Sequence, residues 1–127
     1  FIDPESHQID AARECGADVV ELHTGAYAEA ANVEERIAEL QRLETAALHA
    51  TMNDQKVNAG HGLNLRNILP VAAIPNLREL HIGHSIVSHA VLVGMTTAVS
   101  EMVAAIHKAE LLAARHTPQQ ILAHFSA

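Results

Sequence analysis

The sequence predicts an α/β fold of the (β/α)8 TIM-barrel type, to which these 127 residues would contribute about four βα units. Three observations lead there. Short apolar runs that read as strands alternate with longer stretches of helical spacing, and each connection is long enough for a right-handed crossover between parallel strands. Each well-defined strand is apolar on one face only, the other bearing Glu21 and His23, Asn58, or Glu79 and His81. A central strand of an open parallel sheet is normally apolar on both faces. In a barrel the apolar side meets the helix ring, while polar side chains enter the lumen near the carboxyl ends of the strands. Finally, two strands end in a glycine–histidine turn, Gly60-His61-Gly62 and Gly83-His84, at the end of a barrel where chemistry sits.

In chain order, Phe1-Ile2-Asp3 reads as the end of a strand, with Asp3 as N-cap and Pro4 as first residue of a helix over 4–15 that stops at Gly16. Ile9 and Ala12 mark its inner face, and Cys15 reads as buried and inert. Residues 18–23 form the next strand, with Val20 and Leu22 opposite Val19, Glu21 and His23. A loop over 24–28 with a short helical turn follows. Asn32 and Glu35 then make a capping box for a helix to about Thr51. The strand 56–60 leads through the Gly60-His61-Gly62 turn into a helix over 64–73, capped by Asn64 and kept short or bent by Pro70. The strand 77–82 sets Leu80 and Ile82 against Glu79 and His81. A short helix over 85–93 is interrupted by Gly94, and Thr96 or Thr97 starts another, whose stripe is Val99, Met102, Val103, Ile106 and Ala113. Residues 117–127 read as a small separate tail behind Pro118, a helical turn or two. A strand end at the first residues suggests the carboxyl-terminal part of a larger protein.

Composition narrows the function. Fifteen acidic residues against eight Lys plus Arg give a net charge of −7, which argues against a nucleic-acid surface or a polybasic membrane contact. No apolar run approaches the about 18 residues of a membrane span. One cysteine excludes an intramolecular disulfide and suits a reducing, cytoplasmic compartment. With two Phe, one Tyr and no Trp, packing must rest on Ala, Val, Leu and Ile.

The chemical candidates gather at the strand ends. Glycines on both sides of His61 let the chain turn sharply and let a bound group approach main-chain N–H groups. An imidazole there can deliver a proton to a leaving hydroxyl or take one from carbon beside a carbonyl or imine. N–H groups around Gly62, Gly83 and His84 would hold a phosphate, and the helix after Gly83 resembles the short helix at barrel phosphate sites. Glu21, between Val20 and Leu22, must face the polar side, where it would act as acid or base or orient a ligand. Two or three of the ten histidines with Glu21 could instead bind zinc, but open N–H groups serve a phosphate and not a metal, so no metal and no cofactor is expected. Walker and dinucleotide-binding glycine motifs are absent.

Four segments in order, Phe1-Ile2-Asp3, Glu21-Leu22-His23-Thr24-Gly25-Ala26-Tyr27-Ala28, Val57-Asn58-Ala59-Gly60-His61-Gly62-Leu63-Asn64 and Ile82-Gly83-His84-Ser85-Ile86-Val87, resemble the carboxyl-terminal half of the pyridoxine 5′-phosphate synthase family. The resemblance extends to about Ala114. It implies a (β/α)8 barrel with extra helices, of which these strands are the fifth to eighth, assembled as dimers that form octamers. The implied reaction condenses 1-deoxy-D-xylulose 5-phosphate with 3-amino-2-oxopropyl phosphate, closing the pyridine ring of vitamin B6 and releasing phosphate and water. By the same resemblance His61 is the proton donor, Glu21 the active-site glutamate, and Gly62, Gly83 and His84 substrate and phosphate contacts. A further histidine–glutamate pair and the arginine contacts belong to the other half, so this segment alone should not turn over. The sequence departs from the family pattern at Ser88 (usually glycine), His81 (usually asparagine) and Ala26 (often cysteine). Outside that family, a different phosphate-binding barrel isomerase or aldolase, or a non-catalytic half-barrel serving assembly, remains open. A Schiff-base aldolase would need a lysine, and Lys56 stands at the wrong end of its strand.

Overall fold

In the computed structural model, which describes residues 1–125, three strands form one parallel sheet in sequence order: β1 (Val19–His23), β2 (Lys56–Gly60) and β3 (Leu77–His81). Each strand lies beside the next with no reversal of winding, as in a stretch of barrel wall and unlike a doubly wound sheet with its switch point. The expected first strand is reduced to a bridge: Ile2 N–H donates to Glu21 O at 2.9 Å, and His23 N–H donates to Ile2 O at 2.8 Å.

Seven helices connect the strands among the described residues: α1 (Ser6–Glu14), α2 (Gly25–Glu29), α3 (Val33–Met52), α4 (Ile68–Ala72), α5 (His84–Val93), α6 (Met95–Ala113) and α7 (Pro118–Phe125). The core lies between them and one face of the sheet. Val20 and Leu22 of β1 and Val57 and Ala59 of β2 meet Leu40 and Leu43 of α3 and Ile68 and Val71 of α4 there. As composition required, the filling is aliphatic, and Tyr27 is the one buried aromatic ring among the described residues. The opposite face carries Glu21, Asn58 and Glu79 in register, side by side across the three strands.

The alternation in β1 follows the expectation, but β3 contains a bulge. Val57 pairs with Leu77 and Asn58 with Glu79, so Arg78 is the extra residue. Strict alternation would send Leu77 to the face opposite Leu80; the bulge returns both to the core.

Several termini differ from the sequence reading. Asp3 does not cap α1, because the Ile2 bridge holds this segment along β1 and turns the Asp3 carboxylate toward His23, Oδ1 to Nδ1 3.5 Å. The helix begins two residues later, with Glu5 at the N-cap. Cys15 is exposed: it lies past the last residue of α1, about 120° around the axis from buried Ile9. The box before α3 forms, with Glu35 N–H donating to Asn32 Oδ1 at 2.8 Å, while Glu35 Oε2 accepts from Ala31 N–H at 2.9 Å. Asn64 makes a local turn through Arg66 N–H, and α4 starts only at Ile68. Pro70 falls in its first turn, where a missing N–H costs nothing. Gly94, at φ +86°, joins α5 to α6, so neither Thr96 nor Thr97 is a cap. Of the expected stripe of α6, Met102 is buried and Ile106 packs partly buried against the core, whereas Val99, Val103 and Ala113 are exposed and Ala98 and Ala109 are buried instead. Residues 118–125 are two turns of helix whose Ile121 and Leu122 enter the core.

Candidate active site

The turn after β2 is held in a conformation that backbone sterics disfavour. His61 has φ +88° and Gly62 φ +75°. For a residue with a Cβ the left-handed region costs on the order of 1–3 kcal/mol, and such residues persist only when their surroundings over-determine them. Here the surroundings are identifiable. Thr24, fully buried at the end of β1, donates its hydroxyl proton between two carbonyls, Gly60 O at 2.7 Å and His61 O at 2.6 Å, and its N–H donates to Gly60 O at 2.9 Å. Asn67 Nδ2 donates to Gly62 O at 3.1 Å, and Asn67 Oδ1 accepts from Asn64 N–H at 2.8 Å. The Tyr27 hydroxyl donates to Asn67 O at 2.8 Å, and burial pushes that phenol's pKa up. A Cβ on Gly62 would lie 2.6 Å from Ala28 Cβ, so the second glycine is a steric necessity as well as a conformational one.

Thr24 is the site residue that the sequence reading missed, placing it in a connecting loop. Its signal was a β-branched hydroxyl where a strand gives way to a turn. Thr24→Val keeps the shape and removes the donor, leaving two carbonyls without it. The expected result is a loss of about 1–3 kcal/mol in urea unfolding, with the Tyr27 and Asn67 contacts retained.

The five residues singled out from sequence, Glu21, His61, Gly62, Gly83 and His84, all line one cavity of about 570 Å3 on the polar side of the sheet. His81 and Ser85 line it as well. Ser85 Oγ donates to Leu63 O at 2.7 Å, which ties the start of α5 to the His61 turn, so the two glycine–histidine turns form one unit. Gly83 is the N-cap of α5 and offers no capping side chain. The first-turn N–H groups of this ten-residue helix therefore have no intrahelical acceptor, and they point with the positive end of the helix dipole. No Lys or Arg lines the cavity among the described residues.

His81 is the best-connected side chain on this surface. Its Nδ1 is 2.7 Å from Glu21 Oε2, and its Nε2 is 3.2 Å from Glu79 Oε2. These hydrogen bonds, Glu21 first and Glu79 second, raise the imidazole pKa above its ordinary 6.5. His23 stands beside the cavity, its ring against that of His61 with centroids 4.7 Å apart. Among the described residues no group of three His, Cys, Asp or Glu side chains is disposed to hold a metal ion. The described helices also include none long and apolar enough to cross a membrane.

Chemically, the site offers an imidazole on a rigid turn, a carboxylate on β1 lining the same cavity, and main-chain donors suited to an anion. The family model described as pyridoxal phosphate biosynthesis protein PdxJ matches residues 1–108. The pyridoxine 5′-phosphate synthase of Magnetococcus marinus is 52% identical over 102 residues, which are 80% of this chain and 42% of the relative. That of a Synechococcus species is 56% identical over 102 residues, 80% of this chain and 43% of the relative. That of Coxiella burnetii is 52% identical over the same length, 80% of this chain and 42% of the relative. The chain thus spans about two fifths of the length of the curated relatives it matches. A model that matches most of the chain, and identities above half over 102 residues, place this chain in the pyridoxal phosphate biosynthesis protein PdxJ family.

Proposed function

We propose that this chain is the carboxyl-terminal half of a pyridoxine 5′-phosphate synthase, supplying strands five to eight of a (β/α)8 barrel. The protein then condenses 1-deoxy-D-xylulose 5-phosphate with 3-amino-2-oxopropyl phosphate in the cytoplasm, as dimers that build an octamer. The observation that carries this reading is the convergence of His61, Glu21 and the two glycine–histidine turns on one cavity. Membership of the family and the names of the relatives support it.

The reaction needs protons placed and removed beside an imine, then an enamine, as water and phosphate leave. His61 serves as general acid toward a leaving oxygen, from a turn that Thr24 and Asn67 hold still. Glu21 orients the substrate or assists proton transfer. N–H groups at Gly62, Gly83 and His84 bind phosphate oxygens, and the other half of the barrel brings arginines and the second acid–base pair. An aldolase using a Schiff base finds no support in the cavity, where no lysine lies among the described residues.

The reading is tested by incubating the complete protein with both phosphorylated substrates and assaying for pyridoxine 5′-phosphate and inorganic phosphate. Stoichiometric formation of both supports it; no product sinks it. A second variant separates binding from fold. A Cβ at Gly83 meets no atom within 4 Å, so Gly83→Ala should cost no more than the loss of a glycine N-cap, about 1 kcal/mol in unfolding. It should raise KM for a phosphorylated substrate by about tenfold, since a methyl group would occupy the approach of the phosphate.

A further inference from the structure

We propose that His81 is a positioning residue: it clamps the Glu21 carboxylate from two strands away and brings to this cavity a positive charge that no Lys or Arg among the described residues supplies. The role in turnover rests on the proposed condensation; the clamp itself rests on geometry. β1 and β3 are not neighbours, so Glu21 must reach over β2 to meet His81. It can do so because β2 ends in Gly60, where a Cβ would stand 2.6 Å from Glu21 Oε1 and 2.7 Å from the His81 carbonyl oxygen. Both ring nitrogens of His81 face carboxylate oxygens, Glu21 at 2.7 Å and Glu79 at 3.2 Å. A neutral imidazole has one N–H and satisfies only one of them; the imidazolium satisfies both. Asn58 of β2 completes the group: its Nδ2 donates to Glu79 Oε2 at 3.4 Å and lies 3.5 Å from His81 Nε2, the longer and weaker of the two contacts. The other titratable side chains on the cavity are His61 and His84, and neither is a carboxylate.

The pH dependence has a definite sign. The carboxylates raise the His81 pKa, so their attraction is fully present below the ordinary value of 6.5 and is lost as pH rises through the raised one. Above that pH the neutral ring has one N–H for two carboxylates, its charge no longer holds Glu21, and turnover should fall.

The experiment uses the complete protein with histidine labelled at Cε1, followed by NMR against pH, and kcat and KM profiles for His81→Gln and His81→Ala. In wild type the His81 signal should titrate above 6.5. In Glu21→Gln it should drop back toward 6.5, since the first of the two contacts that raise it is weakened. His81→Gln, which keeps an amide donor, should lower kcat about tenfold with little change in KM and should abolish the alkaline limb. His81→Ala should lose about a hundredfold. Circular dichroism of both variants checks the fold, and the wild-type titration decides the clamp even if His81→Ala does not fold. A His81 titration indifferent to Glu21→Gln, or an alkaline limb unchanged in His81→Gln, would overturn the proposal. A wild-type protein that makes no product while His81 and Glu21 still titrate together would overturn the condensation and uphold the clamp.

Discussion

Replacing His61 by asparagine in the complete enzyme is expected to lower kcat for the condensation by about 10²–10⁴-fold, the usual weight of a positioned general acid. Asparagine is the informative substitute, because it tolerates φ +88° better than other residues with a Cβ. Stability should therefore stay within about 1 kcal/mol of wild type, and KM should change little, since the proposed phosphate contacts at Gly62, Gly83 and His84 are main-chain groups that the substitution leaves in place. A large loss of kcat with intact folding assigns the proton to the imidazole. Comparable loss in folding and activity would mean that the residue serves the turn instead.

Gly60→Ala should remove activity by a different route. The new methyl group would lie 2.6 Å from Glu21 Oε1 and 2.7 Å from the His81 carbonyl oxygen. The carboxylate can swing away; the backbone of β3 cannot without breaking its ladder with β2. Expected effects are a destabilisation of about 1–3 kcal/mol, as for overpacking generally, and a fall in kcat of about a hundredfold from displacement of Glu21. The measurements are urea unfolding and steady-state kinetics on the same preparation. The contrast with Gly83→Ala, where the methyl group meets nothing within 4 Å, separates a glycine required by the fold from one required by the ligand.

The polar and apolar faces of β1 and β2 were legible because period-two alternation has only two phases, and Val20 with Leu22 chose one. That placed Glu21 on the cavity side. The spacing of Gly60-His61-Gly62 and Gly83-His84 announced two turns at strand ends, and both contribute to the cavity. What stayed hidden depended on contacts distant in sequence. Nothing local to Leu77 announces a bulge at Arg78, which arises because pairing with β2 requires both leucines on the core side. Thr24 looks like a loop residue until the turn 37 residues later supplies the carbonyls it holds. The face of α6 was legible at Met102 and Ile106 but not at Val99 and Val103: apolarity alone favours valine, whereas the buried positions beside Met102 are the small Ala98 and Ala109. Val91 and Leu92 of α5 remain 81% and 83% exposed, a face that no element of the described chain covers.

The most direct test is a crystal structure of the complete protein with pyridoxine 5′-phosphate bound. The phosphate should sit within hydrogen-bond reach of the N–H groups of Gly83 and His84, with the pyridine ring between His61 and Glu21. Product bound away from these turns, or with His61 facing solvent, would contradict the assignment of this cavity as the site of ring closure.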